Sequence, residues 1–412
     1  MNTGKTSSHI PMTQFAVVAG ELQVGGQPLT RIAARIGQTP FYAYDRSLIT
    51  ARVAELRRAL PDAIRLHYAM KANPMPALVC HMAGLVDGID VASAGELQVA
   101  LDSGCSPDEI SFAGPGKRVE ELQRAVAAGI LVNVESAREL PALADAGERL
   151  GVAARVALRV NPPFELKSSG MRMGGGPKPF GIDAEQVPAL LGEIGRLGLA
   201  FEGFHIFAGS QNLQADAIID AQQNAYRLAV ELAAGAPAPV RVLNLGGGFG
   251  IPYFPGETRL PLDAIALNLE EIARRAAVDL PGTRLVLELG RYLVGEAGIY
   301  VCRVIDRKRS RGHTYLVTDG GLHHNLAASG NFGQVLRKNY PVMIGNRAGH
   351  EAAEPCTVVG PLCTPLDIIA AKVALPDAAV GDLVVVFQSG AYGASASPAA
   401  FLSHPACAEA LV

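Results

Sequence analysis

One lysine stands where a buried strand is predicted to end. The apolar run that begins at Ile64 leads into Tyr68-Ala-Met-Lys71-Ala-Asn-Pro74, and the proline disfavours helix in the residue before it. A lysine in this place is either a solvated cation at the end of a strand or an amine that takes part in chemistry. Considered alone, Lys71 fits the first description better, so other motifs must decide between the two.

Two such motifs follow predicted strands. Gly246, Gly247 and Gly248 end one strand, where backbone N–H groups could approach a phosphate, although the same residues could also form a bare tight turn. Glu288-Leu-Gly-Arg291 ends the next strand, and by itself it would be a surface ion pair. Taken with the lysine, these groups match pyridoxal phosphate, which needs an amine for its aldehyde, a site for its phosphate and a carboxylate for its ring nitrogen.

The elements that must position these motifs alternate regularly. Amphipathic segments rich in Ala and Leu separate eight short runs rich in β-branched residues, and this alternation predicts parallel strands with crossover helices. The predicted strands are 64–72, 88–93, 110–114, 131–135, 154–161, 201–209, 240–247 and 284–290. Eight repeats favour a closed (β/α)8 barrel with its active site at the carboxyl ends of the strands. A doubly wound open sheet would show the same alternation.

The pattern changes after residue 291 to short strands with turns, which predicts a separate all-β domain. We therefore expect three parts. Residues 1–39 are a disordered lead-in with strands in 14–24 that join the β domain, residues 40–291 form the barrel, and residues 292–412 form the β domain.

The composition narrows the range of partners. The chain has 412 residues and a net charge of −3, which gives no case for nucleic acid or an anionic membrane surface. The polar amino terminus and the lack of an apolar run near 20 residues favour a cytoplasmic protein. Six scattered cysteines are expected to be reduced thiols, and adjacent His323 and His324 would point to opposite faces of a strand. We therefore expect no metal, and these histidines are candidates for substrate contact.

The motifs together resemble the fold-type III pyridoxal-phosphate decarboxylases, which include ornithine, arginine and diaminopimelate decarboxylases and are related to alanine racemase. The resemblance runs from about residue 40 to the end. It is carried by Tyr68-Ala-Met-Lys71-Ala-Asn, Asp90-Val-Ala-Ser-Ala-Gly-Glu96-Leu, Gly246-Gly-Gly-Phe-Gly, Glu288-Leu-Gly-Arg291, Gly360-Pro-Leu-Cys363 and Gly390-Ala-Tyr392-Gly.

The resemblance implies a role for each matching residue. Lys71 would bind the cofactor covalently and Glu288 would pair with its ring nitrogen. Cys363 would come from the second subunit of a homodimer and donate a proton to Cα after carbon dioxide leaves. The phosphate would be held by Gly246, Gly247, Gly248, Arg291, Ser210 and Tyr392. The polar network beneath the cofactor would consist of Asp90, Glu96 and Arg159.

Three departures from the family pattern concern the substrate. Phe207 stands where a histidine usually stacks on the cofactor, Thr364 stands where an acid usually binds the distal amine, and Ala327 stands where diaminopimelate decarboxylases have an arginine. These changes disfavour free ornithine, lysine and diaminopimelate.

The Phe207 variant, with Met171-Arg-Met-Gly-Gly-Gly and Lys178-Pro-Phe-Gly-Ile, is similar to bacterial decarboxylases associated with exosortase systems or with conjugated amino acids. The resulting hypothesis is decarboxylation of an amino acid whose distal end is modified or tethered to a carrier. A diaminopimelate or ornithine/lysine decarboxylase, a racemase of the same fold and a cofactor-free regulator are the alternatives.

Overall fold

The computed structural model describes residues 8–165, 170–332, 334 and 337–412. The chain divides into two compact units. The barrel unit comprises Arg52–Ile251 and Arg259–Leu293, and the β unit comprises Met1–Ala51, Pro252–Thr258 and Val294–Val412. This division differs from the predicted boundaries at residues 40–51 and 252–258, which cluster with the β unit, and at residues 292–293, which cluster with the barrel unit.

Eight parallel strands close on themselves in the barrel unit. Each strand pairs with the next, and the last pairs with the first, which confirms a barrel and excludes an open sheet. The strands are β1 Ile64–Ala69, β2 Gly88–Val91, β3 Ile110–Phe112, β4 Leu131–Val134, β5 Arg155–Asn161, β6 Ala200–Ile206, β7 Val242–Gly247 and β8 Arg284–Leu289.

A helix lies between each consecutive pair of barrel strands. These helices are Pro76–Ala83, Ala94–Asp102, Val119–Ala128, Glu139–Leu150, Val187–Arg196, Ala215–Ala233 and Asp263–Asp279. Their ends follow local chemistry. Ser93 caps one helix by accepting a hydrogen bond from the Glu96 N–H, and Gly129 ends another in the left-handed region at φ 72°. The helix Arg46–Ala59 precedes β1, and Arg291–Val294 follows β8.

The inside of the barrel changes from apolar to polar along its strands. Leu131, Ala157, Val242 and Val286 form a buried apolar cluster. Because side chains two residues apart in a strand share a face, the next inward positions on the same four strands lie nearer the carboxyl ends. Those positions are occupied by the buried polar residues Asn133, Arg159, Asn244 and Glu288. The polar end of the barrel is therefore the end at which the sequence predicts the site.

An eight-stranded mixed sheet dominates the β unit. Its strands are Phe41–Tyr44, Gly298–Ser310, His313–Thr318, Val342–Ile344, Cys356–Val359, Ile368–Val373, Leu383–Val386 and Ala408–Leu411. The amino-terminal strands Val17–Val18, Glu21–Val24 and Gln27–Pro28 form a sheet of their own, followed by the helix Leu29–Ile36. Leu22 and Val24 pack into the same core as Phe41 and Val385, so this segment joins the core of the β unit without joining its main sheet.

Within the described residues, no helix is both long enough and apolar enough to cross a membrane. The six cysteines are free thiols.

Candidate active site

Lys71 lies directly after β1, in the one-turn 3-10 helix Met70–Ala72. A buried hydrogen bond holds this turn in place, because the Tyr68 hydroxyl donates to the Asn73 carbonyl at 2.8 Å. The side chain of Lys71 is 44% exposed, and its Nζ lies 3.5 Å from Oε1 of Glu288. The same Nζ lies 5.6 Å from the centre of the Phe207 ring. The structure therefore brings together three predicted site residues from β1, β8 and the end of β6.

Glu288 is a buried carboxylate whose two oxygens have different neighbours. Oε1 faces Lys71, whereas Oε2 lies 3.0 Å from Nε2 of His205, a residue of β6. Burial alone would raise the pKa of Glu288. The Lys71 cation, the His205 contact and the more distant Arg159 outweigh burial and hold the pKa of this carboxyl well below its usual value. Glu288 is therefore ionised, as a partner for a protonated ring nitrogen must be.

The glycine loop, residues 246–250, continues from the end of β7. Gly246 has φ +69°, and a Cβ there would lie 2.7 Å from Cδ2 of Phe207. A Cβ on Gly247 would lie 2.1 Å from the carbonyl oxygen of Glu288. The Gly246 N–H donates to Oδ1 of Asn244 at 2.8 Å, so this predicted phosphate-binding N–H already has an acceptor. Glycines at 246 and 247 thus keep space open beside Phe207 and allow β7 to approach Glu288 closely.

Ser210 lies in the short strand Gly209–Ser210, which pairs with Met171–Arg172. Its Oγ is buried and has no hydrogen-bond partner among the described residues. A buried hydroxyl without a partner is costly unless a ligand supplies one. Part of the long loop between β5 and β6, residues 166–169, lies outside the described residues.

Asp90 belongs to a buried polar chain that crosses neighbouring strands. His67 Nδ1 lies 3.1 Å from Asp90 Oδ1, the Ser111 hydroxyl donates to the same oxygen at 2.6 Å, and the Asn133 amide donates to Ser111 at 3.1 Å. Burial opposes the charge of His67, but Asp90 outweighs it and raises the pKa of this histidine. A Cβ on Gly88 would lie 2.5 Å from Nε2 of His67, so glycine at that position makes room for the ring.

Arg159 is held by a second buried network, which the sequence did not reveal. Its Nη1 donates to Glu135 at 2.7 Å, and Glu135 also accepts the Gly181 N–H at 3.0 Å. Behind Glu135, the fully buried Lys117 and Glu139 form an ion pair at 3.1 Å. Burial lowers the pKa of Lys117 and raises that of Glu139. The only sequence feature that pointed to this network was Lys117 in the Gly-Pro-Gly-Lys turn after β3. Such a turn is usually a solvated loop, so it did not indicate a buried lysine.

Glu96 lies in the first turn of the helix that follows β2, and Arg291 begins the helix that follows β8. The Glu96 carboxylate accepts the Ala92 N–H at 2.6 Å, which gives it a capping role. Burial raises the pKa of Glu96, against the effect of the Lys71 cation. Arg291 is the first residue of Arg291–Val294.

The remaining predicted residues lie in the β unit. Cys363 is exposed on the cysteine loop, residues 360–367, between strands Cys356–Val359 and Ile368–Val373. Thr364 follows it, and its Oγ1 accepts the Leu366 N–H at 3.3 Å. The buried Asp367 ends the loop, and its two carboxylate oxygens accept the N–H groups of Leu322 at 2.6 Å and Leu362 at 2.9 Å. Asp367 therefore ties the cysteine loop to the segment before His323.

The expectation that His323 and His324 lie on opposite faces of a strand is wrong. They lie in a turn, and their ring centres are 3.8 Å apart. The turn forms because Asp319-Gly-Gly-Leu ends the strand His313–Thr318 and because Asp367 holds the Leu322 N–H. Burial lowers the pKa of His323 to about 4, and both of its ring nitrogens lack hydrogen-bond partners in the described ranges. Tyr392 adopts a left-handed backbone, with φ 53°.

The fold and the barrel site define a class of protein, and sequence comparison identifies the family. Residues 46–295 match the family described as "Pyridoxal-dependent decarboxylase, pyridoxal binding domain", and the chain belongs to it. The L-glutamyl-[BtrI acyl-carrier protein] decarboxylase of Niallia circulans is 38% identical over 91% of this chain and 89% of its own length. The diaminopimelate decarboxylase of Aquifex aeolicus is 31% identical over 95% of this chain and 91% of its own length. The solved diaminopimelate decarboxylase of Helicobacter pylori complexed with L-lysine superposes with a TM-score of 0.82, at 27% identity over 93% of this chain and 94% of that one.

The residues of the barrel site fit the cofactor that this family uses. The amine of Lys71 could serve the aldehyde of pyridoxal phosphate, the ionised Glu288 its ring nitrogen, and the Ser210 hydroxyl, which has no partner among the described residues, its phosphate. A side chain at Gly246 would push into Phe207, so the glycine preserves the space beside that ring. The protein is a pyridoxal-phosphate-dependent amino-acid decarboxylase.

Proposed function

We propose that the substrate is an α-amino acid whose distal end is neutral because it is joined to a carrier, as in a glutamyl group held through its side-chain carboxyl. The observation that carries this proposal is the lack of an available acid on the cysteine loop. Its single carboxylate, Asp367, is buried, and both of its oxygens already accept backbone N–H groups. Thr364 supplies a neutral hydroxyl where the family pattern expects an acid.

The neighbouring turn also offers little charge. His323 is fully buried with a pKa lowered to about 4, so it is neutral at pH 7. Ala327 stands where the family pattern has an arginine. A distal ammonium or carboxylate would thus meet neutral groups on this part of the β unit, whereas an amide or thioester carbonyl needs no counter-charge. The Niallia circulans relative is a decarboxylase of an L-glutamyl group on an acyl-carrier protein, which supports the same choice of substrate.

The chain's own residues then have defined tasks. Pyridoxal phosphate, when bound, supplies the electron sink for the bond between Cα and the departing carboxylate. Lys71 holds the cofactor, Glu288 keeps the ring nitrogen protonated, and Phe207 provides the flat surface beside it. The proton that replaces carbon dioxide on Cα comes from the Cys363 thiol, contributed by the second subunit of a homodimer. Gly247, Gly248, Arg291, Ser210 and Tyr392 hold the phosphate.

Carbon dioxide release from matched substrates tests this proposal. L-Glutamate joined through its side chain to pantetheine or to a carrier protein is compared with free L-glutamate, L-ornithine, L-lysine and meso-diaminopimelate. We expect kcat/KM for the conjugates to exceed that for any free amino acid by about 100-fold or more, since the distal charge of a free amino acid would lose water without gaining a charged partner. Equal turnover of free diaminopimelate would contradict the proposal and favour that alternative.

The variant Thr364→Glu gives a matched gain of function. An acid at this position restores a partner for a distal ammonium, worth about 1.5 to 3 kcal/mol for a hydrogen bond to a charged group. We expect kcat/KM for free diaminopimelate to rise about tenfold or more while that for the conjugates falls. Thr364→Gln, which has similar size but no charge, is the control and should give no such rise.

A shared active site predicts complementation between inactive variants. Lys71→Ala and Cys363→Ala, each inactive alone, are mixed after dissociation and reassociation. Random pairing in a two-fold dimer should restore about a quarter of the wild-type activity, because half of the dimers then contain one intact site. A mixture that stays inactive while forming mixed dimers would show that both residues act within one subunit.

The cytoplasmic location remains a prediction from the sequence.

A further inference from the structure

His205 is the histidine of the barrel site whose role neither the motif nor the family assignment defines. It lies on β6 in register with Arg159 of β5 and Asn244 of β7, and it is 2% exposed. Its ring does not stack beside Lys71, because Phe207, two residues later, takes that position. His205 is thus buried at the polar end of the barrel without a stacking function.

The imidazole has a close polar neighbour on the next-but-one strand. Nε2 lies 3.0 Å from Oε2 of Glu288, an ion-pair distance, although the ring is not turned to complete a hydrogen bond. Nδ1 has no hydrogen-bond partner among the described residues. Arg159, the charged residue in register with His205, is already bonded to Glu135 at 2.7 Å. The polar contact of His205 is therefore directed at Glu288.

The two oxygens of Glu288 are consequently distinguished. Oε2 is turned toward His205 in the buried interior, and Oε1 is turned toward Lys71, whose side chain is 44% exposed. Because Oε1 is the oxygen that faces Lys71, it is the one that would meet the ring nitrogen of a cofactor held by Lys71. A carboxylate anchored through one oxygen presents the other in a fixed direction, as outer partners do for metal-bound or catalytic side chains.

We propose that His205 is a positioning residue that holds Glu288 through Oε2 and so aims Oε1 at the cofactor ring nitrogen. Phe207 has no polar atom in its side chain, so it cannot provide this support to Glu288. The inference rests on the proposed role of Glu288 and does not depend on which amino acid is decarboxylated.

Five variants test the proposal: His205→Phe and His205→Gln, each alone and combined with Glu288→Gln, and Glu288→Gln itself. The dissociation constant for pyridoxal phosphate and the visible absorbance of the bound cofactor are measured against pH, with kcat as a further readout. Circular dichroism and the Tm of each apoprotein report folding. Because binding and spectra need no substrate, a failure of the substrate proposal remains distinguishable from a failure of this one.

Phenylalanine should weaken cofactor binding about tenfold or more, because the buried Oε2 of Glu288 loses the polar group that faces it, and should shift the pH dependence of the absorbance. Glutamine, which can still donate to Oε2, should stay within about threefold of wild type on the same basis. In the Glu288→Gln background both substitutions should be nearly silent. The proposal is overturned if His205→Phe binds the cofactor normally, if glutamine fails as badly as phenylalanine, or if the losses persist without the Glu288 carboxylate.

Discussion

Substitution of Gly246 by alanine probes the space beside Phe207 most sharply. Gly246 has φ +69°, and a Cβ there would lie 2.7 Å from Cδ2 of Phe207 and 3.1 Å from the Ile206 carbonyl oxygen. The added methyl group therefore meets two costs, the left-handed backbone and the contact with the ring. Gly282 separates them, because it has φ +80° but a Cβ there would meet no atom of the described residues within 4 Å, its chain neighbours aside.

The expected magnitudes follow from these two costs. A left-handed alanine costs about 1 to 2 kcal/mol, so Gly282→Ala should lower the free energy of unfolding by that amount. Displacement of the Phe207 ring adds about 1 to 3 kcal/mol of overpacking, so Gly246→Ala should lose about 2 to 5 kcal/mol in total. If the ring supports the cofactor, its displacement should also weaken binding of pyridoxal phosphate by about 5-fold to 150-fold.

Denaturant titration of the apoproteins measures the first effect, and titration with pyridoxal phosphate measures the second. Gly282→Ala should bind the cofactor as the wild type does. Equal stability losses in the two variants would refute the contact argument. Normal cofactor affinity in Gly246→Ala would remove Phe207 and the glycine loop from the binding surface.

Two further predictions concern the buried charges behind the site. Lys117→Met should lower the free energy of unfolding by about 3 to 5 kcal/mol, because it leaves Glu139 buried and unpaired. The double variant Lys117→Met/Glu139→Leu should recover most of this loss. A double variant that is less stable than the single one in denaturant titration would contradict this prediction. Asp90 raises the pKa of His67, so protonated His67 stabilises the folded protein. This stabilisation is complete below the unfolded pKa of about 6.5 and is lost as the pH rises through the folded pKa. The Tm of His67→Phe should therefore fall less than that of the wild type between pH 6 and 8, whereas the exposed control His350→Gln should retain the wild-type slope in scanning calorimetry.

The barrel could be predicted because each of its strands has a recognisable local sequence pattern. The β-branched runs, the amphipathic helices between them and the polar residues at strand ends all have short-range signals, so the sequence places Lys71, Gly246 and Glu288 at the edge of the barrel where the structure has them. The β unit was harder to predict. Strands Phe41–Tyr44 and Ala408–Leu411 pair with each other from opposite ends of the chain, and Phe41–Tyr44 also pairs with Gly298–Val301, so local patterns could not indicate their partners.

The supporting contacts of the site were also beyond local patterns. His205 lies on β6 and Glu288 on β8. Lys117 lies in the loop after β3, and Glu139 begins the helix after β4. Each pair therefore exists only after the strands have assembled. The turn at His323 depends likewise on Asp367, more than forty residues later in the chain. Residue types predicted the chemistry, whereas the fold determined which groups support it.

We propose that Lys71 is the amine that binds pyridoxal phosphate. Borohydride reduction of the cofactor-loaded protein fixes this link, and mass spectrometry of its peptides locates it. We expect a phosphopyridoxyl group on the peptide that contains Lys71. In Lys71→Ala, we expect both this group and the visible absorbance to be lost. A label on another lysine, such as Lys117, or an unchanged absorbance in Lys71→Ala, would contradict the account.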